Sequence, residues 1–499
     1  MIALITSAAL SAPAADKVSS LPGFNFTDIG FDVYSGYLTV PGPFELTEYD
    51  SLSIHYQFHT SQRSPTKDPL VTWHQGGPGA SSVSLGLYTE MGYFQLDDKG
   101  THVNPWAWNK VANMLYLESP AGSGTAFLAG KGSSECLKKG KKVRCQWNDV
   151  SQAEAYAHTL AAFHKAFPEF AKSDLYLTGE SYFGQYGPNI AKYILDHAPF
   201  NTTLNLKGIA AGNACWGGDA TTVNCNGANS QQNDLDMYYG KGLISKQAYE
   251  AAYDACTFPE PTGPRCELAI HKAMNMVGPH NVYFIYDTCS LDDLTNWLDS
   301  VGKDYYWLLE SLRHEMSTNG AESPLMDLMK ASPNGTHNLR YPGADGGFIY
   351  GCGGEAAIRT WLHKPEVLKA LHLRSAGSGF GYDRGGPASI TIWPYLSTKL
   401  RVLIYNGDAD ACVPYKGNEE WIDGLETAGD LKKKKDWAPW FTGDKAGSRA
   451  PAGYVTTYTP KGPGDFSFVT IRLAGHMVPT FQPIAAYTMF ERFIDGKPF

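Results

Sequence analysis

The sequence has few charged residues and no long hydrophobic run. Only 18% of its 499 residues are Asp, Glu, Lys or Arg, whereas 43% are hydrophobic. A disordered chain would show the opposite balance, so the composition predicts a globular protein. The apolar stretch that opens the chain is too short to cross a bilayer, which takes about 20 residues. The sequence therefore predicts no membrane anchor.

The chain also lacks an excess of positive charge. It has 41 Lys and Arg against 50 Asp and Glu, for a net charge of -9. A dedicated nucleic-acid binder needs a basic face to meet the phosphates, so we expect no nucleic-acid partner. One dense basic run lies between two cysteines, and we expect it to form a solvated loop: Lys138, Lys139, Lys141, Lys142 and Arg144.

The nine cysteines show no C-x-x-C spacing. A thiolate metal cluster is therefore not expected, and nothing else in the chain calls for a metal or a cofactor. Three cysteine pairs are nine or ten residues apart, which suits disulfide-closed loops in an oxidising compartment. Two of these pairs, Cys136–Cys145 and Cys215–Cys225, are predicted from proximity alone.

The first residues are typical of a secretory signal. Residues 1–15 are a short apolar run followed by small residues, a pattern that predicts cleavage near its end. Three Asn-x-Ser/Thr triplets, at Asn25, Asn201 and Asn334, predict glycosylation. We therefore expect passage through the secretory pathway, with a lysosome or vacuole and the extracellular space left open as destinations.

Short apolar strands alternate with amphipathic helices along most of the chain. Such alternation predicts an α/β fold with a mainly parallel sheet flanked by helices. The rhythm breaks at about residues 214–350, which are expected to form an insertion in a domain spanning residues 16–499. Strands are predicted at 52–58 (with one buried face), 69–73, 114–117, 175–178, 208–211, 401–405 and 468–472, and helices at 150–167 and 186–197.

Three polar residues follow successive predicted strands. Ser181 lies on a Gly-bracketed strand-to-helix turn, Asp408 follows strand 401–405, and His476 follows strand 468–472. The order Ser, Asp, His is that of the α/β-hydrolases. In this interpretation His476 removes the proton of Ser181 and Asp408 orients the imidazole. The oxyanion donors would be the N–H of Tyr182 and an N–H of the 76–77 turn.

Four segments carry a resemblance to the serine carboxypeptidases. They are Gly179-Glu-Ser-Tyr-Phe-Gly-Gln-Tyr-Gly-Pro188, Trp73-His-Gln-Gly-Gly-Pro-Gly-Ala-Ser-Ser82, Leu117-Glu-Ser-Pro-Ala-Gly122 and Gly475-His-Met-Val-Pro479. The resemblance implies an α/β-hydrolase fold with a largely helical cap formed by the insertion. It also implies an enzyme that releases C-terminal residues from peptides through an acyl-enzyme on Ser181, with a preference for acidic pH.

The resemblance also assigns the residues that bind the substrate's terminal carboxylate. Gln75 and Gly76 would contact that carboxylate, and Gly77 takes the oxyanion-hole position. Glu90 and Glu180 would be the paired acids, supported by Trp73. Two close carboxyls cannot both ionise cheaply, so one should keep a proton and donate it to the substrate in a hydrogen bond.

Position 75 departs from the family, which has Asn there. The longer Gln leaves open an acyltransferase or esterase that uses the same acyl-enzyme; the retained Glu180 favours the peptidase. Two disulfides, Cys256–Cys266 and Cys289–Cys352, are implied by resemblance, and Cys412 is expected to stay a thiol. The expected partners are peptide or protein C-termini, and a homodimer is left open.

Overall fold

The computed structural model describes residues 13–97, 100–124, 134–218, 225–259, 261–278, 280–287, 354–374, 377–443 and 450–499. Its strands are β1 Val33–Pro41, β2 Ser51–His59, β3 Leu70–His74, β4 Phe94–Asp97, β5 Gly100–Val103, β6 Asn113–Leu117, β7 Glu135–Lys138, β8 Lys141–Val143, β9 Cys145–Asn148, β10 Leu175–Glu180, β11 Leu206–Gly212, β12 Phe380–Asp383, β13 Arg401–Gly407, β14 Leu431–Trp440, β15 Gly453–Pro460 and β16 Asp465–Ile471.

The helices lie between these strands and in the predicted insertion. They are α1 Asp149–Ala166, α2 Phe183–Asp196, α3 Phe200–Thr203, α4 Ser230–Gly240, α5 Lys246–Ala255, α6 Pro264–Val277, α7 Gly354–Leu362, α8 Pro365–Ala370, α9 Trp393–Ser397, α10 Tyr415–Thr427, α11 Val478–Phe481 and α12 Pro483–Asp495. Residues Ser82–Met91 form a π-helix. Among the described residues, none of the helices combines the length and the apolar character that a membrane span requires.

One 12-stranded sheet organises the molecule. Its strand order is β14-β15-β16-β13-β11-β10-β3-β6-β2-β7-β8, and β1 pairs with β2. The central run from β16 to β6 is parallel, whereas the strands at both edges are antiparallel. Because parallel strands end at the same edge, the turns after β3, β10, β11, β13 and β16 are brought together there. The predicted α/β-hydrolase fold, with its mainly parallel sheet, is confirmed.

Both faces of the sheet are covered, and this explains why the alternating pattern of β2 gave a wrong prediction of its burial. Strand β2 was expected to have one buried face, but from Leu52 to His59 every residue is buried. The apolar positions face a core cluster built with α1 and α2. His55 and His59 lie on the opposite face and are also buried, at 0% and 1% exposure.

The basic run between Cys136 and Cys145 is a hairpin, not a loop. Strands β7 and β8 pair antiparallel around a turn in which Lys139 and Gly140 have φ of 52° and 67°. Such left-handed turns match the twist of the flanking strands, and Lys139, Lys141, Lys142 and Arg144 are exposed.

The disulfides close short loops. Cys136–Cys145, Cys215–Cys225 and Cys256–Cys266 are formed as predicted, and Cys412 remains a thiol. The pair Cys289–Cys352 lies outside the described residues. Of the three predicted glycosylation positions, Asn25 and Asn201 are exposed, and Asn334 lies outside the described residues.

The described part of the predicted insertion is helical. Helices α4, α5 and α6 pack together over a third core cluster that includes Leu235, Tyr238 and Ile285. Ala409 and Ala411, from the loop after β13, belong to the same cluster. The insertion is therefore packed directly on a loop at the carboxyl edge of the sheet.

Candidate active site

Ser181 occupies a tight turn between β10 and α2. Its φ is 61°, a left-handed conformation that is costly for a residue with a Cβ. The surrounding backbone holds this conformation. The Ser181 N–H donates to Gly212 O at 2.9 Å, and the Ser181 carbonyl accepts from Gly184 N at 2.9 Å and Cys215 N at 3.0 Å. The side chain is only partly buried, as a nucleophile that must meet a substrate requires.

The 76–77 turn is pressed against this elbow. A Cβ placed on Gly76 would lie 2.6 Å from both Ser181 Cβ and the Tyr182 backbone N. Only glycine permits that approach. Gly77 follows with φ of 113°. Both predicted oxyanion donors, the N–H groups of Gly77 and Tyr182, thus belong to segments that meet beside Ser181.

His476 is paired with Asp410, so the prediction of Asp408 as its partner is wrong. The imidazole Nδ1 lies 2.7 Å from Asp410 Oδ2, and the two side chains are 5% and 0% exposed. A carboxylate can only accept here, so Nδ1 carries the proton and Nε2 is left as the base. In the described structure Ser181 Oγ makes no hydrogen bond to His476, a contact that in many enzymes tightens when substrate binds.

Asp408 points elsewhere because it is the first residue after β13. Its Oδ1 accepts from Leu473 N at 2.7 Å, and its Oδ2 lies 3.4 Å from Lys241 Nζ in the insertion. Asp410 comes two residues later, where the loop has turned back over the sheet edge. Strand order alone could not distinguish Asp408 from Asp410, because both lie in the short loop after β13 at the carboxyl edge of the sheet.

Four donors converge on Asp410. Its Oδ2 accepts from His476 Nδ1 and from Asn213 Nδ2 at 2.6 Å, and Val413 N lies 3.3 Å away. Its Oδ1 accepts from Cys412 N at 2.8 Å. Asn213, the residue after β11, was not predicted to belong to the site. The carboxylate is thus fully satisfied and fixed in orientation without contact to solvent.

The predicted carboxylate-binding residues also meet, in a buried chain of side chains. Trp73 Nε1 donates to Gln75 Oε1 at 2.8 Å, and Gln75 Nε2 donates to Glu180 Oε1 at 2.6 Å. Because the indole N–H can only donate, it fixes which end of the Gln75 amide faces Glu180. The additional methylene of Gln75 thus lies within a continuous bridge from Trp73 to Glu180.

Glu90 and Glu180 interact with each other in an interior that solvates neither. They are 0% and 1% exposed. Within the described residues, both oxygens of Glu90 and Oε2 of Glu180 have no donor. Burial raises the pKa of Glu90 to about 8, and burial together with the neighbouring Glu90 raises the pKa of Glu180 well above its ordinary value. At acidic and neutral pH the pair holds at least one proton.

Two tyrosines near this pair were not predicted. The hydroxyls of Tyr116 and Tyr405 are buried without a described partner. Burial raises the pKa of both phenols; the charge of Glu90 adds to the effect on Tyr116, and the charges of Glu180 and then Glu90 add to the effect on Tyr405. They lie on the central strands β6 and β13, where an aromatic residue in the sequence indicates only core packing.

The insertion contacts the histidine and the acid through its last described segment. Tyr283 accepts from His476 N at 2.7 Å, and its ring packs edge-on against the imidazole with centroids 5.1 Å apart. Val282 O accepts from Ala411 N at 2.8 Å and from Cys412 N at 3.0 Å. The catalytic loops and the insertion are therefore one packed unit. Across the described ranges, no three His, Cys, Asp or Glu side chains form a metal-binding group.

Comparisons with known proteins identify the family of this chain. A family model described as "Serine carboxypeptidase" matches residues 22–496. The chain is 30% identical to the mouse lysosomal protective protein, with 98% of this chain and 95% of that protein covered. It is also 30% identical to the serine carboxypeptidase ctsa-4.1 of Caenorhabditis elegans, with coverage of 98% and 95%.

A solved structure supports the fold independently. The crystal structure of Kex1(delta)p, a prohormone-processing carboxypeptidase from Saccharomyces cerevisiae, aligns with a TM-score of 0.63 at 21% identity. The alignment covers 98% of this chain and 97% of that one. At this identity the likeness bears on the fold alone, which it places among the α/β-hydrolases.

Proposed function

The chain belongs to the serine carboxypeptidase family and is a serine-type carboxypeptidase, and from that premise we propose how its residues divide the work. Ser181 is the nucleophile, His476 the general base and acid, and Asp410 the group that orients the imidazole. The observation that carries this assignment is the buried Nδ1–Oδ2 contact of 2.7 Å between His476 and Asp410. Because Nδ1 is used by Asp410, Nε2 is the ring nitrogen that can exchange a proton with Ser181.

The reaction follows from these roles. His476 Nε2 accepts the Ser181 hydroxyl proton as Oγ attacks the carbonyl carbon of the last peptide bond. The N–H groups of Gly77 and Tyr182 stabilise the oxyanion. His476 then returns the proton to the leaving amine, and the C-terminal amino acid departs. Water, deprotonated by the same imidazole, hydrolyses the acyl-enzyme on Ser181.

Restriction to C-termini is assigned to the buried Glu pair. A substrate carboxylate would accept hydrogen bonds from the Gly76 N–H, from the Gln75 amide and from the proton held by Glu90 and Glu180. At high pH the pair would ionise and repel the same carboxylate, which accounts for the expected acidic preference. Trp73 keeps Gln75 oriented for this task.

A direct test compares two substrates that differ only at the terminus. A blocked dipeptide with a free carboxylate and its C-terminal amide are incubated with the enzyme at pH 5. We expect kcat/KM for the free acid to be at least tenfold higher, as one charged hydrogen bond of about 1.5–3 kcal/mol implies. Ser181→Ala is the control and should abolish both activities. Equal rates on the two substrates would instead favour the esterase or acyltransferase alternative.

We also assign the chain to the secretory pathway. Residues 1–15 would be a signal peptide, and the mature domain 16–499 would carry its cap at about 214–350. The three disulfides, the two exposed glycosylation positions and the relative named a lysosomal protective protein support this route. The substrates would be peptide or protein C-termini. The sequence leaves open whether the enzyme forms a homodimer. Sedimentation of the purified enzyme measures its oligomeric state.

A further inference from the structure

His74 is a buried histidine with one hydrogen bond, directly beside the carboxylate-binding residues. It is 1% exposed, and its ring packs against the rings of Tyr156 and Tyr186, with centroids 5.4 and 4.4 Å away. Nδ1 lies 2.7 Å from Gln75 O, whereas Nε2 has no partner among the described residues. A Leu or Phe would fill this aromatic site without leaving a buried polar atom, so packing does not explain the imidazole.

The bond to Gln75 O has a consequence for the next residue. The carbonyl of Gln75 and the N–H of Gly76 belong to one planar peptide unit and point in opposite directions. A donor that holds the carbonyl therefore fixes the direction of the Gly76 N–H. Among the described residues, no acceptor contacts that N–H, and Gly76 is the residue pressed against Ser181.

The protonation of His74 suits this contact. A carbonyl only accepts, so the proton must be on Nδ1, and Nε2 is unprotonated. Burial lowers the pKa of His74 to about 4, which keeps the ring neutral over the acidic range in which the family works. The ring therefore acts at Gln75 as a neutral hydrogen-bond donor.

We propose that His74 is a positioning residue for substrate binding: its Nδ1–H holds the 75–76 peptide so that the Gly76 N–H points at the terminal carboxylate of the peptide. The inference rests on the proposed carboxylate site and adds a residue to it. His74 does not touch the substrate and acts only through the orientation of one peptide plane.

The experiment uses two variants of the full-length enzyme. His74→Leu removes the donor but keeps an apolar side chain, and His74→Asn keeps an N–H that can reach the Gln75 carbonyl. We expect His74→Leu to raise KM for a free-acid dipeptide about 3- to 10-fold, the effect of one hydrogen bond. Its kcat should be nearly unchanged, and KM for the matching amide should change by less than about twofold. His74→Asn should restore most of the free-acid KM.

Active-site titration with an organophosphorus reagent normalises each rate to the folded enzyme, so partial misfolding does not obscure the result. The inference is overturned if His74→Leu and His74→Asn give the same KM for the free-acid dipeptide. It is also overturned if His74→Leu raises KM equally for the free acid and the amide. Glu180→Gln, measured alongside at about pH 5 and about pH 9, separates the two proposals. If it weakens the alkaline rise in the free-acid KM and His74→Leu leaves the free-acid KM unchanged, only the role of His74 is lost; if neither effect is seen, the carboxylate site itself is wrong.

Discussion

Two buried carboxyl sites lie at the same edge of the sheet and differ in how many donors they receive. Four donors converge on Asp410. The pair Glu90 and Glu180, with four oxygens between them, receives one described side-chain donor, from Gln75. Both sites are fully buried, so the difference between them lies in their hydrogen-bond donors and not in their exposure.

The contrast shows how one fold assigns two chemistries to the same functional group. Hydrogen bonds from neutral donors favour a charged carboxylate, whereas burial beside another acid favours a protonated one. In the proposed assignment Asp410 accepts hydrogen bonds and orients His476, whereas the Glu pair keeps a proton and donates it to the substrate. Variants at the two sites test this division.

The largest expected effect comes from exchanging the acceptor at the triad. Asp410→Asn places an amide against His476 Nδ1, which favours the wrong tautomer and should lower kcat by about 10⁴. Steady-state kinetics on a blocked dipeptide measures this loss. Asp408→Asn is the matched control, two residues away in the same loop, and should cost less than about tenfold. If Asp408→Asn lowered kcat more than Asp410→Asn did, Asp408 would be the triad acid, as the strand order predicted.

The next effect concerns the proton of the Glu pair. Burial raises the pKa of Glu90 to about 8, so KM for a free-acid peptide should be flat below pH 7. Above pH 8 it should rise by up to about tenfold per pH unit, because one proton is lost per site. KM for the amide should stay flat. Glu180→Gln cannot ionise and should weaken the alkaline rise.

A buried acid outside this pair provides the control for that measurement. Burial raises the pKa of Glu118 to about 7, and its carboxylate accepts from Ser81 Oγ and Val83 N. Glu118→Gln should therefore leave the KM profile of the free acid in place. If Glu118→Gln flattens the profile as much as Glu180→Gln does, the titration does not belong to the carboxylate site.

The smallest effect is on stability, where buried acids and buried histidines oppose each other. Burial raises the pKa of Glu118 to about 7 and of Asp149 to about 6, so their stabilising contribution is lost as pH rises from about 4.5 towards 7. Burial lowers the pKa of His55 and His59 to about 3, so stability is lost as pH falls below 6.5. The two trends should give a plateau between about pH 4.5 and 6.5.

Thermal unfolding across pH 3 to 9 tests this balance. His59, whose ring nitrogens have no partner in the described structure, lies against Phe94 and Tyr116. His59→Phe should flatten the acid limb of the melting-temperature curve, and Glu118→Gln should flatten the alkaline limb. A curve that keeps both limbs in both variants would show that other groups dominate the titration.

The sequence identified the proposed nucleophile and base because both lie in short, strongly patterned turns. Ser181 directly follows the buried strand β10 and has glycine on both sides, at 179 and 184, whereas His476 follows Gly475 in the loop after β16. Asp410 could not be separated from Asp408, because the distinction depends on how a loop folds back and on a donor from Asn213. That donor comes from a different strand end, and no local pattern marks it.

The parallel centre of the sheet and the antiparallel strand β2 were predictable, whereas the edge strand β14 was not. Continuous apolar runs such as 401–405 and 468–472 indicate strands buried on both faces. Strand β14 is exposed along most of its length and carries four successive lysines, which gave no strand signal. Charged edge strands of this kind protect against pairing with other chains, and they are recognised only once the neighbouring strand is known.

The contact of Tyr283 and Val282 with the histidine and acid loops also bears on when the enzyme becomes active during its synthesis. Ser181 leaves the ribosome early, but the base comes from the last strand and its loop, close to the C-terminus. The segment that backs the base comes from the insertion, translated in between. A growing chain therefore carries the proposed nucleophile without its base until the loop after β16 has been made. During that interval no separate inhibitor is needed to keep the nucleophile inactive.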